Sequence, residues 1–278
     1  MDAVLVMHRF SYTPAEMISS LWRNADLMKV LVKREVLGRY RGSLIGILWS
    51  FFNPLLMLAV YTFVFGVVFK ARWNAEGNSH TEFALVLFAG LIVFNLFAEC
   101  VTRSPQLILS NVNYVKKVVF PLEILPCVTL GSAAFHALVS WSVWMIAYVA
   151  FFGTPHLTAL LLPVVLLPLG LFILGVTWWL ASLGVYLRDV SQIVGILVTV
   201  LMFLSPIFYP ISALPEGIRG FVALTPLTIV VEQTRDVMYW GRFPDWAMFG
   251  VAFVVGALAA WLGFVWFQRT RKGFADVV

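Results

Sequence analysis

Six long apolar stretches, at about 44–69, 83–103, 122–152, 159–185, 190–210 and 246–268, constrain this chain more than any other feature of its sequence. Crossing a hydrocarbon core of about 30 Å takes about 20 apolar residues in a helix, and a helix satisfies its own backbone hydrogen bonds in lipid. The stretches leave no segment long enough for a separate globular core. Composition points the same way: 61% of the 278 residues are hydrophobic and 12% are charged, against about 45–50% and about 25% in a soluble domain. The expected fold is an all-α membrane protein of six transmembrane helices, one domain over 1–278.

Three connecting segments are more than plain loops. Thr13-Pro14-Ala15-Glu16 reads as a helix start, with Thr13 as cap, Pro14 in the first turn and Glu16 completing a capping box. Over 13–38, Ile18, Leu21, Trp22, Ala25, Val32 and Val36 recur at helical spacing opposite Arg23, Asp26, Lys29 and Lys33, which predicts an amphipathic helix lying at the membrane interface. Segment 104–121 is mildly amphipathic, with Leu107, Ile108 and Val112 on one side and Lys116-Lys117 near its end. Segment 211–245 holds Phe221 to Val231, too short to cross and broken by Pro226, so it predicts short re-entrant or surface-lying helices before the last span.

Lys and Arg in short loops set orientation. With the N-terminus inside, the inner side carries Arg9, Arg23, Lys29, Lys33, Arg34, Arg39, Arg41, Arg103, Lys116, Lys117, Arg188, Arg269, Arg271 and Lys272. The outer side keeps Lys70, Arg72, Arg219, Arg235 and Arg242. Fourteen against five places both termini in the cytoplasm. Met1 to Phe10 lacks a following apolar run and cleavage site, so no removal of a signal peptide is expected.

The net charge of +5 comes from these loops and not from a basic stripe interleaved with stacking aromatics, so nucleic acid is not an expected partner. The phosphate-cradling GxxxxGK[ST] loop is absent, as are HExxH and GxSxG. No catalytic residue, metal site or bound cofactor is therefore expected, and any ATP must be handled by another subunit. Cys100 and Cys127 read as small residues in apolar surroundings. Glu99 and Arg103, one turn apart, are expected to pair, and His136, near mid-span, reads as a neutral imidazole bonded to a neighbouring helix. Among the many aromatics, most of which belong against lipid, Trp49, Tyr61, Phe208 and Tyr209 are candidates to line a pathway and stack on sugar rings.

The run Arg34-Glu35-Val36-Leu37-Gly38-Arg39-Tyr40-Arg41-Gly42-Ser43-Leu44-Ile45-Gly46-Ile47-Leu48-Trp49, continuing through Asn53-Pro54-Leu55 to Tyr61-Thr62-Phe63-Val64-Phe65, resembles the start of type-2 ABC exporter permeases that move bacterial cell-surface polysaccharides. Lys116-Lys117-Val118-Val119-Phe120-Pro121-Leu122-Glu123-Ile124-Leu125-Pro126 is similar as well. So are Arg188-Asp189-Val190 with Ser205-Pro206-Ile207-Phe208-Tyr209, and Thr225-Pro226-Leu227 with Glu232 and Arg235. The stretches follow in the family's order along nearly the whole chain, with Thr225 where the family often has Asn.

The resemblance implies a permease for O-antigen, capsule or teichoic acid in the bacterial inner membrane. It would work as a homodimer of two permease copies with two ABC ATPase subunits that hold ATP and Mg. Its substrate would be a lipid-linked polysaccharide passed through a channel at the dimer interface. It also implies ATPase coupling through 13–38 and through Leu107, Ile108, Val112, Asn113, Tyr114 and Lys116 of the inner segment, and an outer gate at Glu232, Arg235 and Asp236. The same architecture exporting a drug or small lipid, and a secondary transporter, remain the alternatives at this point.

Overall fold

A computed structural model describes residues 12–68, 73, 80–116 and 120–277; Arg9, Lys70, Arg72 and Lys117, counted above, lie outside the described residues. Every regular element among the described residues is helical. Thr13 caps the first helix by accepting a hydrogen bond from the Glu16 N–H at 3.2 Å. The single helix expected over 13–38 is two, α1 (Pro14–Arg23) and α2 (Ala25–Arg39), broken at Asn24 with φ −103° and ψ 14°. The Asn24 side chain donates to the Ser20 carbonyl at 2.8 Å, the local competition with helix backbone that makes Asn a helix breaker. α2 runs alongside a spanning helix: Leu31 packs with Ile124 and Val128, and Val32 fills the space left by Gly131.

The first span begins after a tight turn at Gly46–Leu48 as α3 (Trp49–Tyr61) and relaxes into a π segment at Thr62–Val68. α4 (His80–Arg103) follows, then turns at Ser104–Gln106 and Leu109–Asn111 lead into the short α5 (Val112–Lys116). α6 (Leu125–Phe152) and α7 (Leu162–Tyr186) are the next long helices, and α8 (Val190–Leu204) stops where Ser205-Pro206 cannot continue it. α9 (Glu216–Ala223) and α10 (Pro226–Arg235) form a hairpin ending in a π turn at Asp236–Trp240. α11 (Trp246–Thr270), capped by the Asp245 carboxylate, and α12 (Phe274–Val277) complete the chain.

Five helical stretches among the described residues are long and apolar enough to cross a membrane. The fifth expected span, 190–210, is not among these five: its regular helix is 15 residues, roughly 22 Å at 1.5 Å per residue, shorter by itself than the hydrocarbon thickness. α4 is the hub, with 83% of its most apolar window buried, while the first span has 11% of its window buried. Two indoles tie the bundle to backbone: Trp144 donates to the Leu85 carbonyl and Trp178 to the Glu123 carbonyl, each at 2.9 Å. α7 and α11 approach until backbone touches backbone, because Gly175, Gly256 and Gly263 present no side chain at the crossing. The bundle has a near end, where α1, α2, α5 and α12 gather, and a far end carrying the π segment, α9 and α10.

Candidate functional site

At the near end, two charge clusters bind the N-terminal helices to the spans. Ser20 of α1 donates to Glu123 at 2.8 Å, and Arg271 approaches the other Glu123 oxygen at 2.7 Å. α1, the start of α6 and the end of α11 thus meet at one carboxylate. The second cluster joins α2 to α4 and α6. Arg39 pairs with Glu99, Arg103 pairs with Glu35, and Arg103 also reaches Glu99 at 3.4 Å. The Arg103–Glu35 contact is an attraction of charges and not an aligned hydrogen bond, since that Glu35 oxygen is buried without a bonded donor. His136 sits between, with Nδ1 at 3.0 Å from Arg39 and 3.3 Å from Glu99, and Nε2 at 3.1 Å from the Tyr40 hydroxyl.

The expected Glu99–Arg103 pair is therefore present, and His136 is hydrogen-bonded to neighbouring elements within a charged cluster. Arg39 as the closer partner of Glu99 was not legible in sequence, because nothing local links residues 60 positions apart. The same holds for Glu123 and Arg271, 148 positions apart.

The segment after α4 divides. Leu107 and Ile108, expected beside Val112 on an outward edge, are buried with Phe267 and Phe274. The turns redirect the chain between Ile108 and Val112, so helical spacing does not carry a common face across them. Val112 is half-buried, Asn113 and Lys116 are exposed, and Tyr114 stacks on Phe120 with ring centroids 4.2 Å apart. Asn113 and Lys116 are the members of the expected set that face outward.

At the far end Arg235 is fully buried. It donates to the carbonyls of Val86 at 3.2 Å, Pro206 at 2.7 Å and Ile207 at 2.8 Å, and to Glu232 at 2.6 Å. Its guanidinium also lies over the Trp73 ring, 4.4 Å from the centroid. The fork of one arginine thus binds α10, α4 and the chain after α8 together. Burial lowers its pKa, opposed by Glu232. Glu232 and Asp236 are half-buried, and burial raises the Asp236 carboxyl above its ordinary value despite Arg242 at 3.9 Å. Of the expected gate trio, Arg235 is an internal staple; its carboxylate neighbours border the surface. Thr225 works as the cap of α10, accepting from the Thr228 N–H at 3.3 Å, which explains why it serves where Asn is common.

The four aromatic candidates separate. Trp49 is exposed on α3, on the same open face as Leu56 and Val60. Tyr61 is half-buried against Phe65. Phe208 stacks on Phe65 at 5.9 Å and Phe203 at 5.8 Å, so the π segment after α3 and the chain after α8 meet at the far end. Tyr209 folds back, its hydroxyl donating to the Phe203 and Leu204 carbonyls at 2.8 and 3.0 Å, which satisfies the end of α8. The open faces of α3 and α8 also carry Asn53 and Gln192; Asn53 has no hydrogen-bond partner among the described residues.

Similarity to known proteins runs the length of this architecture. The chain is 29% identical over 264 residues to the O-antigen export system permease protein RfbA of Myxococcus xanthus, covering 94% of this chain and 99% of that protein. It is 25% identical over 255 residues to RfbA of Klebsiella pneumoniae, covering 91% and 95%. The polysialic acid transport protein KpsM of Escherichia coli is 25% identical over 223 residues, 78% of this chain and 83% of that protein. The sequence profile of ABC-2 type transporters matches residues 26–239, from α2 to the π turn after α10, and the chain belongs to that family.

Proposed function

We propose that this chain is the transmembrane permease of an ATP-driven exporter of lipid-linked cell-surface polysaccharide. The observation that carries the reading is the end-to-end match to an O-antigen export permease. The chain is a transport subunit and hydrolysis belongs to a separate ABC ATPase, which supplies ATP and Mg. A strain lacking this gene is expected to lose surface polysaccharide and accumulate the lipid-linked glycan inside. Undiminished surface polysaccharide in that strain sinks the reading.

The protein sits in the bacterial inner membrane with six spans, α8 crossing together with the residues that follow it, and with the near end and both termini in the cytoplasm. Two copies and two ATPases form the working unit, α1, α2 and the outward residues Asn113 and Lys116 meeting the ATPases. The channel lies between the copies, and the open faces of α3 and α8 border it. Asn53 supports this placement. An unbonded carboxamide in hydrocarbon costs on the order of 2–7 kcal/mol, so its face meets water or protein in preference to lipid. Trp49 on the same face grips sugar rings weakly and repeatedly, so the polymer slides. Glu232 and Asp236 border the outer mouth, where the α9–α10 hairpin is the gate.

Thiol labelling tests topology and path together, since a thiol reacts as the hydrated thiolate. In a Cys100→Ala/Cys127→Ala background, Gly217→Cys is expected to react with an impermeant reagent from outside and Asn113→Cys only after the membrane is opened. Trp49→Cys is expected to react with a small water-borne reagent, and Leu58→Cys, on the buried side of the same helix, to stay silent. Outside labelling at position 113, or a silent position 49, contradicts the arrangement.

A further inference from the structure

The Glu35–Arg103–Glu99–Arg39–His136–Tyr40 chain of contacts invites a role beyond stability. Its two arginines and two glutamates cancel in charge, so it has no surplus with which to hold an external anion. Ion pairs taken partly out of water are weak stabilisers, and their best-attested use is fixing registry or switching between arrangements. Here the placement matters. The apolar side of α2 packs on α6 through Leu31 and Val32, whereas α2 reaches the central α4 through the Arg39–Glu99 and Glu35–Arg103 pairs. The covalent route from α2 to the first span is a short turn that packs on no other element among the described residues. Residues 41–45 are exposed, and Gly42 and Gly46 hold φ of +84° and +60°, a region that glycine enters without strain.

His136 gives the cluster two self-consistent hydrogen-bonding arrangements. In one neutral tautomer Nδ1 accepts from Arg39 and Nε2–H donates to Tyr40. In the other Nδ1–H donates to Glu99 while Nε2 accepts from the Tyr40 hydroxyl, and Arg39 is left to Glu99 alone. Nδ1 lies within reach of both partners, at 3.0 and 3.3 Å, but one nitrogen cannot accept and donate at once. An element with two discrete arrangements is what a physical coupling between distant sites requires.

We propose that these six side chains are the joint that passes movement of α2 to α4 and α6 during transport, with His136 as its two-position pin. They are positioning residues, and the inference rests on the exporter reading above. The joint ties the motion of the N-terminal helix to the hub of the bundle while leaving the first span free to move on its glycine link.

The test uses a neutral pair, because removing one charge strands its partner, whereas removing both spares the fold. In Glu35→Gln/Arg103→Gln the amount of folded permease and its melting temperature are expected to stay at the parental level. Export per folded permease is expected to fall about tenfold, the scale of a typical coupling free energy, while ATP hydrolysis by the co-purified complex continues. Arg39→Gln/Glu99→Gln probes the other arm and is expected to behave alike, so poor folding of one pair leaves the other to decide. Parental export per folded permease in either well-folded pair overturns the joint and makes the cluster structural filling. A gene deletion that keeps normal surface glycan defeats the exporter reading itself, an outcome distinct from a deletion that strips the glycan and a neutral pair that exports normally.

Discussion

Replacing Arg235 with methionine is expected to lower the melting temperature of the purified permease by on the order of 10 °C. Methionine keeps much of the volume and none of the donors. The carbonyls of Val86, Pro206 and Ile207 and the Glu232 carboxylate then lose their shared partner in a site with no solvent access to the side chain. Breaking one side of a buried charged network costs about 3–5 kcal/mol, a large share of a total stability of about 5–15 kcal/mol. Arg235→Lys keeps the charge without the planar fork and is expected to recover less than half of the loss. Glu232→Gln keeps an acceptor for Arg235 but removes its counter-charge, and is expected to lower the melting temperature less than the methionine variant does. Thermal unfolding in detergent, followed by size exclusion, measures all three. A methionine variant that melts with the parent would show that the hairpin is held by something other than this staple.

The second large effect is expected at the α7–α11 crossing. A methyl group at Gly175 would overlap the Ala259 carbonyl, and one at Gly263 would overlap the backbone of Gly175. Backbone cannot rotate away as a side chain does, so the helices must part along their tightest contact. Overpacking of this kind costs about 1–3 kcal/mol per site, and the two sites share one contact, so their costs are not simply additive. Gly175→Ala/Gly263→Ala is expected to leave little folded permease after extraction. Gly195→Ala is the control: an added methyl there meets nothing within 4 Å, and alanine in a helix interior gains about 0.5–1 kcal/mol over glycine. Equal folded yields for the double variant and the parent would mean that the close approach does not set the packing.

What the sequence by itself determined is whatever depends on neighbours along the chain. Length and hydropathy of each apolar run are local sums, so four of the six expected spans coincide with full-length helices, and the first does so once its turn at Gly46–Leu48 is included. The helix start at Thr13-Pro14, the break at Pro226 and the Glu99–Arg103 pair are likewise settled within one or two turns. Tertiary structure alone decided which polar groups find each other and which faces stay open. Arg39 meets Glu99, Ser20 meets Glu123, and Arg235 meets carbonyls from two other parts of the chain. It also turned Leu107 and Ile108 inward, since two tight turns reset the direction of the side chains. The physical reason is common to all of these. An apolar residue is content with any apolar surroundings, so hydropathy is readable residue by residue. A buried hydrogen-bonding group needs one particular partner at about 3 Å, and that partner is chosen by how the helices pack.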